Sequence, residues 1–302
     1  GASVTRRAPE QVDIKHYRLV QKDIPALTEE AYMTTLKDYR ARIRAQLSTV
    51  AFPSQPIQPV LSTWEKLAKE LVDHERFGNQ YLKKRFTKQL MEDLQPILAK
   101  ASNNTEKAFT VYQYLARTME WNEDYGFIAS ENLNTVYERK KGHSGELNML
   151  LLAALQELEI TSYPMLISTR NHGKMFELYP ILDQFNHLLV YAEVEGKPLI
   201  MDIGSPHRPM GLPRASALNY FGWGVVPERP QWLELPAPLF PSDVHHLEAS
   251  VSLDGALTGS FTNRCEGYNA MAERERLSAD ASGSHLRKAF QEDLPDIKMD
   301  SL

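Results

Sequence analysis

Between Tyr39 and Leu47 the apolar positions Tyr39, Ala41, Ile43, Ala45 and Leu47 alternate with Arg40, Arg42, Arg44 and Gln46. That period of two predicts a half-buried strand. A strand needs a sheet, and little chain precedes this one, so residues 1–55 are expected to be the C-terminal remnant of a β-rich domain. The period then lengthens. Ser62 with Glu65 predicts a capping box ahead of a helix whose apolar face is Trp64, Leu67, Ala68, Leu71 and Val72. Leu82, Phe86, Leu90, Leu94 and Ile97 continue the helical spacing, and Pro96 is expected to kink or break it. A third helix is predicted from about Thr105, with Phe109, Tyr112, Leu115, Ala116 and Met119 on one side.

From residue 142 the apolar arc widens to Leu147, Leu150, Leu151, Ala154, Leu155 and Leu158, which predicts a helix covered on both sides. Three strand-like segments follow, Ser162–Ser168, Phe185–Val194 and Pro198–Ile203, the last two joined at Glu195-Gly196 as a two-residue hairpin. One buried helix followed by antiparallel strands is an α+β layout. Prolines at 227, 230, 236, 238 and 241 predict a stiff linker over 229–243, closing a domain over 56–228. Beyond it, alternation up to Asp254-Gly255 and again from Leu257 predicts a hairpin. Residues 244–302 read as the start of a C-terminal β domain with a polar tail.

At 302 residues, 42% apolar and 24% charged, the chain is long enough for about two globular domains. Asp and Glu (39) outnumber Lys and Arg (34), and a formal charge of −5 argues against nucleic acid as a partner. The longest apolar run, Met149 to Leu155, is too short to cross a bilayer. The single cysteine, Cys265, excludes an internal disulfide and any multi-cysteine metal site. Cys265 lies beyond the proline-rich stretch with no helix entrance beside it, which argues against it as a nucleophile; His245-His246 point to opposite faces of a strand with no cysteine or patterned carboxylates nearby, so no metal is expected, and no cofactor is expected either. The chain opens Gly1-Ala2-Ser3, as a processed protein does, so the absence of a signal peptide carries no information on compartment.

The candidate chemistry begins at Ser144, in Lys140-Lys141-Gly142-His143-Ser144-Gly145-Glu146, at the entrance to the buried helix. Free N–H groups and the helix dipole favour negative charge there, which suits a nucleophile; serine is also a favoured N-cap, and both readings stand. A two-residue turn at Glu195-Gly196 pairs Val194 with Lys197 and Leu189 with Asp202. His187 and Asp202 are then diagonal neighbours on one face, where a carboxylate can orient an imidazole; a bulge at Gly196 would separate them. Trp64, Trp121, Tyr125, Phe127, Tyr220, Phe221 and Trp223 could line a groove or fill the core. Trp121 and Tyr125, with His143, are the candidates for ligand binding. The run Arg139-Lys140-Lys141 is either an anion-attracting patch or a solvated surface.

A helix N-terminus, then a histidine strand, then a carboxylate strand is the layout of papain-like catalysis. The stretch from about 60 to 225 resembles a bacterial transglutaminase-like domain of the papain-like superfamily. The resemblance is carried by Lys141-Gly142-His143-Ser144-Gly145-Glu146, Leu166-Ile167-Ser168-Thr169-Arg170, Gln184-Phe185-Asn186-His187 and Met201-Asp202. Asp23-Ile24-Pro25-Ala26-Leu27 and Asp254-Gly255-Ala256-Leu257-Thr258-Gly259 resemble parts of the β-rich domains that flank such domains in Gram-negative envelope proteins. The resemblance implies a papain-like core, a periplasmic or envelope location, a peptide, protein or cell-wall ligand, and a site at Ser144, His187 and Asp202. It also implies a cysteine at position 144, where this chain carries serine. A helix dipole and a histidine can ionise a thiol near pKa ~8.5 but not a hydroxyl, which must lose its proton to a base during attack. The expectation is a pseudoenzyme acting as a binding or interaction module, against an active Ser-His-Asp acyl transferase or hydrolase and, third, a structural spacer.

Overall fold

The structure is a computed structural model describing residues 16–31, 33–43, 47–52, 55–60, 62–235, 242–293 and 298–299. Among its described residues, the predicted strand over 39–47 is not formed. Leu36–Tyr39 is a single helical turn, α1, capped by the Thr35 hydroxyl, and residues 40–43 and 47 lie outside any strand; 44–46 fall outside the described residues. Pairing begins later, where β1 (Thr49–Val50) meets β2 (Gln58–Pro59). Ile43 and Leu47 stay exposed, so the alternation has no buried face to serve.

The helical region follows the apolar stripes. Helix α2 (Trp64–Asp73) buries Leu67, Ala68 and Leu71, but its cap is Thr63, which accepts from Lys66 N at 3.2 Å, and not Ser62. Helix α3 (Gly78–Leu82) is short and leaves Leu82 exposed, and α4 (Lys88–Leu98) buries Leu90 and Leu94. Pro96 does not break α4, because it sits in the last turn and the helix ends two residues later. Helix α5 (Asn104–Thr118) is capped by Asn103 and buries Tyr112, Leu115 and Ala116, while Phe109 faces solvent. The two-residue strand β3 (Glu120–Trp121), helix α6 (Leu133–Arg139) and β4 (Lys141–Gly142), which pairs parallel with β3, lead into α7 (Ser144–Glu157). Every residue of α7 from Ser144 to Leu155 is buried, as the wide apolar arc predicts.

Strands β5 (Ser162–Ile167), β6 (His187–Val194), β7 (Lys197–Met201), β8 (Phe221–Gly224) and β9 (Gln231–Glu234) form an antiparallel sheet in the order β7-β6-β5-β8-β9. Leu166, Leu188, Val190, Met201 and Trp223 join α7 and the helices in one core, and Met165, Ile167, Leu189 and Ile200 form a second cluster. The fold is α+β, a buried helix against an antiparallel sheet. Val194 pairs with Lys197 across Glu195 (φ 50) and Gly196 (φ 74), the unbulged left-handed turn that the site register requires.

The stretch 229–243 is not linker throughout. Gln231–Glu234 completes the sheet, with Trp232 packed on Trp64 at a ring-centroid distance of 5.2 Å, while Pro230 precedes the strand without interrupting it. Strands β10 (Asp243–Val251) and β11 (Leu257–Cys265) pair over nine positions in a two-stranded ribbon with both faces largely exposed. Helices α8 (Gly267–Ala279) and α9 (Ser284–Asp293) follow, and Phe290 meets Phe261 edge-on. Among the described residues no helix is long and apolar enough to cross a membrane.

Candidate active site

The entrance to α7 is capped by His143, not by Ser144. His143 Nδ1 accepts from Gly145 N at 3.1 Å and Glu146 N at 3.4 Å, and the Glu146 carboxylate accepts from His143 N at 3.0 Å, closing a capping box. With Nδ1 accepting, Nε2–H faces the Ile128 carbonyl at 3.0 Å, so both ring nitrogens of this expected ligand-binding residue are committed to backbone. Burial pushes the Glu146 carboxyl up, but the Ser130 hydroxyl, His143 and two backbone N–H groups outweigh it and hold the pKa below its usual value.

Ser144 is therefore the first residue inside the helix, with its hydroxyl released from capping. Its Oγ lies 2.8 Å from His187 Nδ1 and accepts from Gly126 N at 3.3 Å. Its backbone N–H donates to Asp124 O at 3.0 Å. The loop carrying Asp124 and Gly126 lies tight against the helix entrance. A Cβ at Gly145 would overlap the Gly126 carbonyl, and one at Gly126 would stand 2.8 Å from the His143 ring.

His187 opens β6, and Asp202 follows β7 across the Glu195-Gly196 hairpin. Nε2 of His187 lies 3.3 Å from Asp202 Oδ1 without the alignment of a formed hydrogen bond. Next to a carboxylate, Nε2 carries the proton of the neutral ring, leaving Nδ1 to accept from the Ser144 hydroxyl. Burial pushes the His187 pKa down to about 4; Asp202 opposes this, while Arg214 and Arg208 reinforce it. Ser144 and His187 are 0% exposed and Asp202 is 1% exposed.

Asp202 is crowded with donors. Arg214 gives it Nε to Oδ2 at 2.7 Å, Nη2 to Oδ1 at 3.0 Å and its backbone N–H to Oδ2 at 2.9 Å. Arg208 Nη1 adds a bond to Oδ2 at 3.2 Å, and Asn148 Nδ2 one to Oδ1 at 3.1 Å. Burial alone would raise the Asp202 carboxyl, but Arg214, His187 and Arg208 hold it well below the usual carboxylate range. Asn148 also donates to Leu188 O and accepts from Ile203 N, tying α7 to the histidine and carboxylate strands.

Trp121 and Tyr125 cover this centre. The Arg214 guanidinium sits 4.3 Å from the Trp121 ring centroid, and the Tyr125 ring meets His187 edge-on at 5.5 Å. Tyr125 Oη and Ser216 Oγ are 2.8 Å apart, bridging the loop before α7 to the loop before β8. The surface grooves beside Met91, Tyr268 and Trp232 include none of Ser144, His187 and Asp202. Cys265 lies at the end of β11, outside the Ser144–His187–Asp202 contacts, where its thiol donates to the Asp243 carboxylate and its pKa is pushed up. Among the described residues no group of His, Cys, Asp and Glu could hold a metal, and His245 and His246 lie in the exposed ribbon.

Sequence reasoning missed Arg208, Arg214 and Asn148. The two arginines lie in a Gly- and Pro-rich stretch that reads as a solvated loop. Asn148 carried a signal: a lone amide inside the most apolar helix needs partners.

No family profile matches the chain, and no curated protein matches it. A crystal structure from Parabacteroides distasonis, described as a "putative protease", is similar with a TM-score of 0.43 and 15% identity over 61% of this chain. The chain spans about one third of that protein's length (33%). Those figures describe a loose likeness of part of the backbone.

Proposed function

We propose that the chain carries a transglutaminase-like domain whose catalytic centre has become part of the core, and that it works as a non-catalytic binding module for a peptide or cell-wall ligand in the cell envelope. The observation that carries this reading is the state of Ser144. Its hydroxyl is fully buried, and the backbone N–H that could stabilise an oxyanion is given to Asp124 O. The nearest other donor, Gly126 N–H, is directed at Oγ itself. The buried helix N-terminus, the histidine strand and the carboxylate strand, in that chain order, support the transglutaminase-like assignment.

A fluorophosphonate probe tests the silence of the centre. The expected result is no adduct at Ser144; an adduct that disappears in His187→Ala overturns the reading. Co-sedimentation with purified peptidoglycan sacculi tests the cell-wall ligand, with the protein expected in the pellet and its full recovery in the supernatant removing that ligand.

The 2.8 Å Ser144–His187 contact favours a second reading, a Ser-His-Asp acyl transferase or hydrolase. It requires the Tyr125–Ser216 bridge to open, and the same fluorophosphonate adduct is its signature.

A further inference from the structure

On the reading that Ser144 stands where a nucleophilic cysteine would, the centre holds a second obstacle to chemistry. We infer that Arg214 and Arg208 hold the site quiet independently of the residue at position 144: by bonding to Asp202 and offsetting its charge they weaken the carboxylate support an imidazole needs to accept a proton. The inference rests on the reading of a quiet centre and names what keeps it quiet.

Asp202 Oδ2 receives Arg214 N, Arg214 Nε and Arg208 Nη1, and Oδ1 receives Arg214 Nη2 and Asn148 Nδ2. Two carboxylate oxygens offer about four lone-pair sites, and five donors already compete for them. His187 Nε2 is left at 3.3 Å without a formed bond. Charge makes the same point. The groups facing His187 are the Ser144 hydroxyl from α7, the Tyr125 ring from the loop before it, and Asp202 with the two guanidiniums behind it. One carboxylate between two guanidiniums already carries a net positive charge, and their side chains are 8% exposed or less. A proton on His187 would add a second net positive charge where little water can screen it.

The clamp is built into the fold. Gly204 has no Cβ because one would stand 2.9 Å from Arg214 Nη2 and 3.1 Å from Arg208 Nη1. Trp121 stacks on Arg214, and Arg214 Nη2 also donates to Ile203 O at 2.8 Å. Tyr112 Oη donates to Asp202 O at 3.2 Å, holding the start of the loop.

Activating a thiol at position 144 means moving its proton from Sγ to His187 Nδ1, breaking S–H, forming N–H and leaving a thiolate beside an imidazolium. The imidazolium lies between the clamp and the thiolate, so the clamp's net positive charge repels the nearer imidazolium more than it attracts the farther thiolate, and restoring the cysteine alone does not restore the chemistry. The test uses the full chain with Cys265→Ser, so that Ser144→Cys supplies the one thiol. Its titration is followed by ultraviolet thiolate absorbance, which needs no reagent to enter the site, with circular dichroism as the check on folding. With both arginines present the thiol is expected to titrate at or above ~8.5. Arg208→Gln, and separately Arg214→Gln, are expected to raise the thiolate fraction at neutral pH about tenfold or more, one pKa unit per tenfold. Arg208→Lys, which keeps the charge, is expected to stay near the parent. If Arg214→Gln fails to fold, the more peripheral Arg208→Gln decides. A thiol already ionised at neutral pH with both arginines in place overturns the inference, as does a folded Arg208→Gln that titrates like its parent. The quiet-centre reading fails by a different result, fluorophosphonate labelling of the unaltered Ser144.

Discussion

Arg214 grips Asp202 with two parallel bonds, Nε to Oδ2 at 2.7 Å and Nη2 to Oδ1 at 3.0 Å, and adds its own backbone N–H at 2.9 Å. Bidentate pairing of this kind is the strong form of a charge-assisted contact. Removing one partner of a buried pair leaves an uncompensated charge, which costs roughly 3–5 kcal/mol. Asp202→Ala is therefore expected to lose about that much, because two guanidiniums stay behind without a counter-ion. Urea denaturation measures it, with Glu70→Ala as control, since the exposed Lys66–Glu70 pair at 3.8 Å is expected to be worth about 0.5 kcal/mol or less. Equal midpoints for the two variants would show that the clamp is not structural.

The same centre predicts how stability responds to acid. Burial, aided by both arginines, lowers the His187 pKa to about 4 from an ordinary 6.5. The unfolded chain thus binds this proton more readily than the folded one. The associated stability is complete above the ordinary value and drains away as pH falls toward about 4, by about 3 kcal/mol at most. Asp202, held low by Arg214, His187 and Arg208, adds a further loss below its ordinary 3.8. Denaturation midpoints that fall from neutral pH toward pH ~4, and a flatter profile in His187→Gln over that upper window, are the expected results. A wild-type profile as flat as the variant's would contradict a buried neutral imidazole.

Backbone approach at the helix entrance gives a third prediction. A methyl group at Gly145 would overlap the Gly126 carbonyl, a backbone atom that cannot swing aside. Gly145→Ala would ordinarily strengthen a helix by about 1 kcal/mol. Here it is expected to destabilise by several times that, and to displace the loop that holds Tyr125 over His187. Thermal melting decides the sign, and a variant more stable than wild type would mean the loop does not press on α7.

How much of this was legible beforehand divides along physical lines. The wide apolar arc of α7 and the Glu195-Gly196 turn are local signals, and they were enough to bring Ser144, His187 and Asp202 together. The alternation from Tyr39 to Leu47 is equally clear, yet its described residues form no strand, because a period of two specifies a strand only when a partner strand and a buried face exist. Ser144 looked like a cap because serine commonly is one; an imidazole nitrogen can accept the same N–H bonds, and His143 took the position. Arg208 and Arg214 were illegible for another reason. A guanidinium in a Gly- and Pro-rich loop looks solvated until its buried carboxylate partner is located in space.

His143 supplies the last prediction, because its cap separates two roles that the sequence left joined. A missing cap costs about 0.5–2 kcal/mol, and His143→Ala also leaves the Ile128 carbonyl without its ring donor. Asparagine can accept from the same helix N–H groups, so His143→Asn is expected to recover most of the loss. It should not recover all of it, since the shorter side chain does not reach Ile128 O at the distance the ring spans. The Glu146 half of the capping box survives in both variants, which keeps the expected cost within the range of a single cap. Urea denaturation orders wild type above His143→Asn and His143→Ala lowest. If Asn is no better than Ala, the ring acts through packing against the Gly126 loop and the hydrogen bonds to Gly145 and Glu146 contribute little.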